Sequence, residues 1–344
     1  MRAHRTSDEA RLSAAVIATN ILSDLCRFAD EHGVACAPWF AGSRLTRAQI
    51  DDPGVRVSYR QASEFVHHAL RALPAPDVGL ALGCRQNIGN FGVLGLAMMT
   101  ARTFGDAVAI GLEYSAVSGT LMDLELDVDD AGIPALVATQ RAPDAEILPF
   151  LCEELFASTL MMARGLLGSD LVPLRVDLAY PAPAYAARYR DAFGCDVRFA
   201  MPRNRMLVDP EWLSRPLPTY NPVNAQQALA LCRAQMPDGH HASEIVTTVR
   251  SLLRRQLQQA PRLADIAAEL HLTERTLRRQ LTAAGTGFKD LHDRVRCEHA
   301  VDLLRDRRMS IAQVGASVGF KDAREFRRAF KRWTGNTPSE ARSG

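Results

Sequence analysis

The sequence predicts two domains of different class: an α+β body over residues 1–234 and an all-α tail over 243–344, joined by a linker at 235–242. Length is the first reason, since 344 residues make two domains at roughly 150 each. Charge is the second. Residues 243–344 carry 20 Lys+Arg against 12 Asp+Glu, a net of +8, while residues 1–242 carry 21 against 27, a net of −6; together they give the chain's +2. Pattern is the third, because strand-like alternation stops before Ser243. A composition that is 47% hydrophobic and 23% charged argues against disorder or a rod for the bulk. No apolar run reaches the roughly 18 residues of a membrane span. Asp8, Glu9 and Arg11 break the short apolar stretch at the amino terminus, so a secretory signal is not expected. Seven scattered cysteines, with no C-x-x-C pair, indicate neither a disulfide framework nor a zinc module and fit a reducing cytoplasm.

Along the body, Asn20–Glu31 reads as an amphipathic helix through Ile21, Leu25 and Phe28, stopped by Gly33. Val57–Leu73 reads as a second, with Phe65, Ala69 and Leu73 on one stripe. Ile88–Thr100 is apolar and glycine-rich, and Thr103–Thr120 reads as a helix carrying Phe104, Ala107, Val108, Leu112 and Tyr114. Leu121–Thr139 then alternates apolar and polar around Asp130–Gly132, the pattern of a β-hairpin. A helix is expected at Phe150–Leu167, and strands at Leu174–Tyr180 and Val197–Val208, the second bent around Pro202–Asn204. Helices flanking antiparallel strands make the body α+β. Prolines 216, 218, 222 and 237 with Gly239 mark the approach to the linker, interrupted by a short helix near Gln226–Gln235.

The tail repeats itself. Leu263-Ala-Asp-Ile266-Ala267-Ala-Glu-Leu270 matches Ile311-Ala-Gln-Val314-Gly315-Ala-Ser-Val318 at an offset of 48, and Leu277 and Leu281 match Phe326 and Phe330 at 49. A short helix, a tight turn and a second helix with inward residues at i and i+4 make a helix-turn-helix, with Ala or Gly where the two cross. Ser310 with Gln313, and Asp322 with Glu325, have capping-box spacing; Thr273 is a third cap, and Arg262 a poor one. Outside the buried pairs stand Arg275, Arg278 and Arg279 in the first copy and Arg324, Arg327 and Arg328 in the second. Arginine donates both to guanine O6/N7 and to phosphate, and three on one face in each copy, in one register, point to double-stranded DNA. Thirty-eight of the 41 basic residues are Arg, so a codon bias would supply arginines too; the register is what favours DNA. Phe288–Leu304, with Leu291, Val295, Ala300, Leu303 and Leu304 inward, reads as a linker helix of about 25 Å. A rod of that length can hold two recognition helices near the ~34 Å spacing of successive major grooves.

Residues 243–343 resemble the DNA-binding domain of the AraC/XylS family of bacterial transcription regulators. The resemblance is carried by LADIAAELHLTERTLRRQL, by Arg296-C-E-H-Ala300-V-D-L-L, and by SIAQVGASVGFKDAREFRRAFKRWTGNTPSE. It implies DNA contacts from Arg275, Thr276, Arg278 and Arg279 in one recognition helix and from Ala323, Arg324, Arg327 and Arg328 in the other. Two departures stand out. Ala341 follows Pro-Ser-Glu where the family has an aromatic residue, and arginines 324 and 327 occupy places where small polar residues are common, so base specificity does not transfer. Residues 60–215, chiefly Ile88-GNFGVLGLAMMTARTFGDAVA-Ile110, are similar to the arabinose-binding-like amino-terminal domain of a subgroup related to ornithine-utilisation regulators. That implies effector sensing and dimerisation over 1–234. Phe91, Arg102, Phe104, Glu113 and Tyr114 are the candidate effector contacts, flanking the segment that carries the resemblance. The implied partners are a small-molecule effector, a second copy and RNA polymerase, with Phe150–Leu167 as candidate dimer interface or core helix.

Other chemistry fits the residues less well. Gly315-Ala-Ser317-Val-Gly319 satisfies G-x-S-x-G, but no histidine follows it and an amphipathic helix replaces the strand that a nucleophile elbow needs. Gly89, Gly92 and Gly95 match neither a dinucleotide nor a P-loop fingerprint, and close packing is expected of them. His67-His68 and His240-His241 lack helical metal-ligand spacing and read as surface residues. No catalytic residue, metal or cofactor is expected. A ligand-independent architectural DNA binder and an enzymatic amino-terminal domain stay open as alternatives.

Overall fold

The computed structural model describes residues 12–43, 45–128, 132–168, 170–236, 244–305 and 309–343. The chain divides into two compact units, Met1–His241 and Ala242–Gly344. Of the expected linker, Gln235 ends a helix and 237–242 lie outside the described residues.

In the first unit β1 (Ala15–Ala18) leads into α1 (Asn20–Glu31), as expected, and α2 (Arg47–Ile50) precedes β2 (Arg56–Ser58), which pairs antiparallel with β1. The helix expected from Val57 starts later, as α3 (Tyr59–Ala72). Val57 is paired with Ile17 in the ladder, and Ser58 closes a capping box with Gln61 that starts the helix at the next residue. After α4 (Val78–Gly83), the glycine-rich stretch forms a 3-10 turn, Ile88–Phe91, and α5 (Gly92–Met99). The expected 103–120 helix breaks into α6 (Phe104–Glu113), capped by Thr103 and Asp106, and α7 (Ser115–Ser118). Gly119 ends it at φ +82°, where a Cβ would lie 2.7 Å from the Ala18 carbonyl oxygen.

The hairpin forms as β3 (Met122–Val128) and β4 (Pro134–Gln140), paired along their whole length, with Asp130 outside the described residues. Then come α8 (Leu148–Leu167), β5 (Arg175–Asp177), α9 (Ala187–Phe193), β6 (Asp196–Arg198), β7 (Asn204–Leu207), α10 (Pro210–Ser214) and α11 (Pro222–Gln235). The sheet order is β3-β4-β7-β5-β6. Two expectations are corrected. The single bent strand over 197–208 is two strands in different places, because Ala200 turns the chain at φ +54° and Pro202 has no N–H for a ladder. The sheet is also not wholly antiparallel: β5 and β6 are parallel, which requires a crossover, and α9 is that crossover.

Helix α8 is the centre of the unit. It is apolar nearly all round, the mark of a buried helix, and Phe150, Leu151, Leu155, Phe156, Leu160, Ala163 and Leu166 are all buried. It is therefore a core helix and not the exposed interface offered as its alternative. Helix α4 lies so close that a Cβ on Gly79 or Gly83 would meet Glu153 Cβ or Ala157 Cβ at 2.6 Å. The Glu153 carboxylate accepts hydrogen bonds from Tyr185 Oη at 2.8 Å and from Tyr189 Oη. Tyr189 Oη also lies 3.1 Å from that of Tyr180. Burial outweighs these bonds and pushes the acid up to about 7.

The second unit contains α12 (Glu244–Arg255), α13 (Leu263–Glu269), α14 (Glu274–Ala283), α15 (Phe288–Arg305), α16 (Ile311–Ser317), α17 (Ala323–Thr334) and α18 (Pro338–Ser343). The inward stripe expected on α15 divides between two cores. Leu291 and Val295 join Leu253, Ile266, Leu277 and Leu281; Ala300 and Leu304 join Val314, Val318, Phe326 and Phe330, with Leu303 only partly buried. The Ser310–Gln313 capping box is present. Asp322 caps α17 by accepting from Arg324 N–H, without Glu325 closing the box. Arg262 is a poor cap whose N–H is instead accepted by Asp265 at 2.7 Å. Both inner turns need a left-handed residue, filled by His271 (φ +53°) and Gly319 (φ +81°).

Gly315 sits where α16 crosses α17, and a Cβ there would stand 3.0 Å from Phe326 Cγ. The first copy tolerates Ala267 at this place because its recognition helix carries the smaller Leu277. Gly315→Val should therefore cost about 1–3 kcal/mol in chemical denaturation of the whole protein, and Phe326→Leu in the same chain should recover part of it. A pH prediction follows from Glu153. Its folded value, about 7, exceeds the ordinary 4.5, so stability falls as pH rises from 4.5 through 7. Glu153→Gln should remove its share of that fall, roughly 1–3 kcal/mol, read from urea midpoints between pH 5 and 8.

Candidate functional site

Two surfaces stand apart chemically, one in each unit. In the second unit, α14 starts at Thr273, whose Oγ1 accepts the Thr276 N–H at 3.2 Å and lies 2.9 Å from the Thr276 hydroxyl. Thr276 is half-buried, and Leu277 and Leu281 are driven into the core by the i, i+4 spacing. Arg275, Arg278 and Arg279 are consequently exposed. Helix α17 repeats the arrangement: Ala323 is half-buried, Phe326, Ala329 and Phe330 are buried, and Arg324, Arg327 and Arg328 are exposed.

No ion pair holds any of these six guanidinium groups among the described residues. Elsewhere in the unit Arg250, Arg255, Arg305 and Arg332 are paired with Glu298, Glu269, Asp302 and Asp293. Each recognition helix thus presents three cations with nothing of their own to neutralise, on a side chain suited to bidentate contacts. Ser317 ends a helix, with no strand before it among the described residues of the unit, so the geometry of a nucleophile elbow is absent there.

In the first unit a cavity of about 660 Å³ opens between α1, α5, α6, α8 and the sheet. That is the size of a small-molecule site. Phe91 and Phe104 line it, and the Phe104 ring packs edge-on to Trp212, also in the wall, at 6.5 Å. Arg102, Glu113 and Tyr114 do not reach it. Arg102 is exposed, 3.7 Å from Asp106, and Glu113 is exposed. Tyr114 is buried, with its Oη accepting from Arg233 Nε at 3.2 Å.

The sequence reading missed the acids of the wall. Glu154, only 9% exposed, faces the cavity from the middle of α8, and burial, with Asp24 beside it, pushes its carboxyl up to about 8. Burial also raises Asp24, against a hydrogen bond from Gln86 Nε2 at 2.7 Å and the charge of Arg27. The signal was legible as two glutamates inside an otherwise apolar helix, LCEELF.

The glycines expected to pack closely do different things. Gly95 leaves no room for a Cβ beside the Ile88 carbonyl, whereas Gly92 serves for its φ of +52°. His67 and His68 are half-buried rather than surface residues: His67 Nε2 lies 2.7 Å from Asp144 Oδ2, and His68 Nδ1 lies 3.2 Å from the Trp39 carbonyl. His240 and His241 lie outside the described residues. All seven cysteines are free thiols. Among the described residues no three acidic, His or Cys side chains gather as a metal site, and no helix is long and apolar enough to cross a membrane.

Residues 33–217 match the model of the arabinose-binding domain of AraC transcription regulators, and residues 266–344 match a helix-turn-helix domain. The chain is 33% identical over 312 residues to the ornithine utilization regulator of Pseudomonas aeruginosa, covering 91% of this chain and 92% of the relative. It is 30% identical over 331 residues to an HTH-type transcriptional regulator of Mycobacterium tuberculosis, covering 94% and 95%. The crystal structure of the regulator CdpR from Pseudomonas aeruginosa aligns over 94% of this chain and 98% of that one, with 23% identity and a TM-score of 0.49. Two recognition helices in one helical unit, an α+β unit matching the arabinose-binding model, and relatives matched nearly end to end place this chain in the AraC/XylS family of DNA-binding transcription regulators.

Proposed function

We propose that this regulator binds a specific operator through both recognition helices, and that a small molecule in the cavity of the first unit changes that binding. The carrying observation is the set of six exposed arginines, in matching register on α14 and α17 and without an ion pair among the described residues. Base edges and phosphates supply the acceptors they lack. Roles divide along the chain: residues 1–234 sense and dimerise, 235–242 link, and 243–344 read DNA, with Thr276 and Ala323 against the backbone or bases beside the arginines. The cavity, with a buried acid on its wall, favours a sensor over a ligand-free architectural binder. The protein does no chemistry of its own, works in the cytoplasm and acts on RNA polymerase at the promoter.

A second copy is proposed as partner, since pairing half-sites raises specificity. Because α8 is core, the interface falls to the exposed apolar residues of α11, Val223 and Leu231, with Tyr220 just before the helix. Sedimentation of full-length protein at tens of micromolar should show a dimer, and the double variant Val223→Glu, Leu231→Glu a monomer. A dimer that survives the double variant places the contact elsewhere.

Arg278→Ala and Arg328→Ala should each weaken specific operator binding by about 1–3 kcal/mol if each reads a guanine bidentately. Binding to random duplex should change less. Gel-shift titration on both duplexes checks this, and unchanged affinity in both variants removes the assignment.

A further inference from the structure

We propose that the cavity of the first unit selects a small organic cation, a protonated amine on an apolar body, with Glu154 as the group that pairs with its nitrogen. The proposal rests on the reading above that the cavity receives an effector, and adds its chemical class.

Most of the wall is apolar, with Leu94, Met98, Val108, Met162 and Trp212 among its residues, and it rewards hydrocarbon without choosing a head group. The choice falls to the charged groups, and nearly all of these are engaged within the protein. Asp24 is held by Gln86 and Arg27. Asp51 is held by Arg47 at 2.8 Å and by Ser23 at 3.1 Å. Arg56 donates to the carbonyls of Pro53 and Val55 at 2.9 and 3.1 Å. Glu154 differs from all of them. It is nine-tenths buried and faces the cavity, and among the described residues its carboxyl has no hydrogen-bond or ion-pair partner.

A buried acid without a partner is costly, and an ammonium group supplies both the missing charge and the missing donors. A carboxylate ligand would instead meet Glu154 and Asp24, beside an Arg27 already paired with Asp24 and an Arg56 whose hydrogen bonds go to carbonyls alone. The neighbouring Glu153 does not compete, because its carboxylate is turned to Tyr185 and Tyr189.

The surroundings fix the sign of the pH dependence. Asp24 and Arg27 face Glu154 from α1, while Asp51 and Arg56 stand in the same wall. Helix α4 and the 3-10 turn at Ile88–Phe91 contain no ionisable group, and Asp77, just before α4, acts on Glu153 and is paired with Arg188. With the acid at about 8 in the free protein, an amine must displace a proton to pair with it at lower pH. Amine affinity therefore rises about tenfold per pH unit towards pH 8 and then levels.

The test uses full-length protein and three probes of one chain length: n-hexylamine, 1-hexanol and hexanoate. Thermal unfolding should show the largest stabilisation with the amine. Calorimetry between pH 6 and 9 should show the stated rise, with proton release below pH 8. Glu154→Gln should keep the response to hexanol and lose the preference for hexylamine. The pH profile of the unmodified protein carries the test if that variant does not fold. Equal or greater stabilisation by hexanoate or hexanol, or a flat amine profile from pH 6 to 8, overturns the amine assignment and leaves the effector reading standing. No stabilisation by any of the three, with operator affinity unchanged, overturns both.

Discussion

One long helix held by two separate cores sets the geometry of the whole DNA-reading unit. The first half of α15 is fixed by Leu291 and Val295 and the second by Ala300 and Leu304, each pair in its own apolar cluster. At the boundary, the Arg296 guanidinium lies 4.8 Å from the centre of the Phe320 ring and donates to the Gly319 carbonyl at 3.3 Å. Gly319 in turn has no room for a Cβ beside the carbonyl of Leu257, a residue of the first core. The second repeat therefore touches the segment just before the first directly, as well as through the rod. A helix is stiff over this length, so the direction in which one set of arginines points constrains the other.

Within each repeat the same logic runs at smaller scale. Two buried side chains one turn apart, Leu277 with Leu281 or Phe326 with Phe330, leave only the opposite faces of the recognition helix for the arginines. Larger inner residues demand a smaller crossing residue, which is why Phe326 is matched by Gly315 and Leu277 by Ala267. Exposure of cations on one face is a consequence of how the other face packs.

The first unit shows how neighbouring, chemically identical residues acquire different roles. Glu153 and Glu154 are adjacent on α8, and burial raises both. Consecutive residues of a helix point about 100° apart, so Glu153 meets the tyrosines near and on α9 while Glu154 meets the cavity. The first is satisfied and ties α8 to α9. The second has no hydrogen-bond or ion-pair partner among the described residues.

By itself the sequence determined the units and their local structure. Periodicity, capping residues and the internal repeat depend on neighbours a few residues apart, so the double helix-turn-helix, its inward leucines and phenylalanines and its outward arginines were legible, as were the hairpin and α8. Tertiary structure decided what depends on distant partners. Val57 became a strand because Ile17 lies alongside it, and β5 and β6 became parallel because α9 carries the chain across. Tyr114, a candidate effector contact by its place in the chain, became a partner for Arg233 instead. Glu154 stands out only once the apolar helix around it is wrapped and one side is left open, because the energetics of a carboxyl depend on what surrounds it in space and not on its neighbours in the chain.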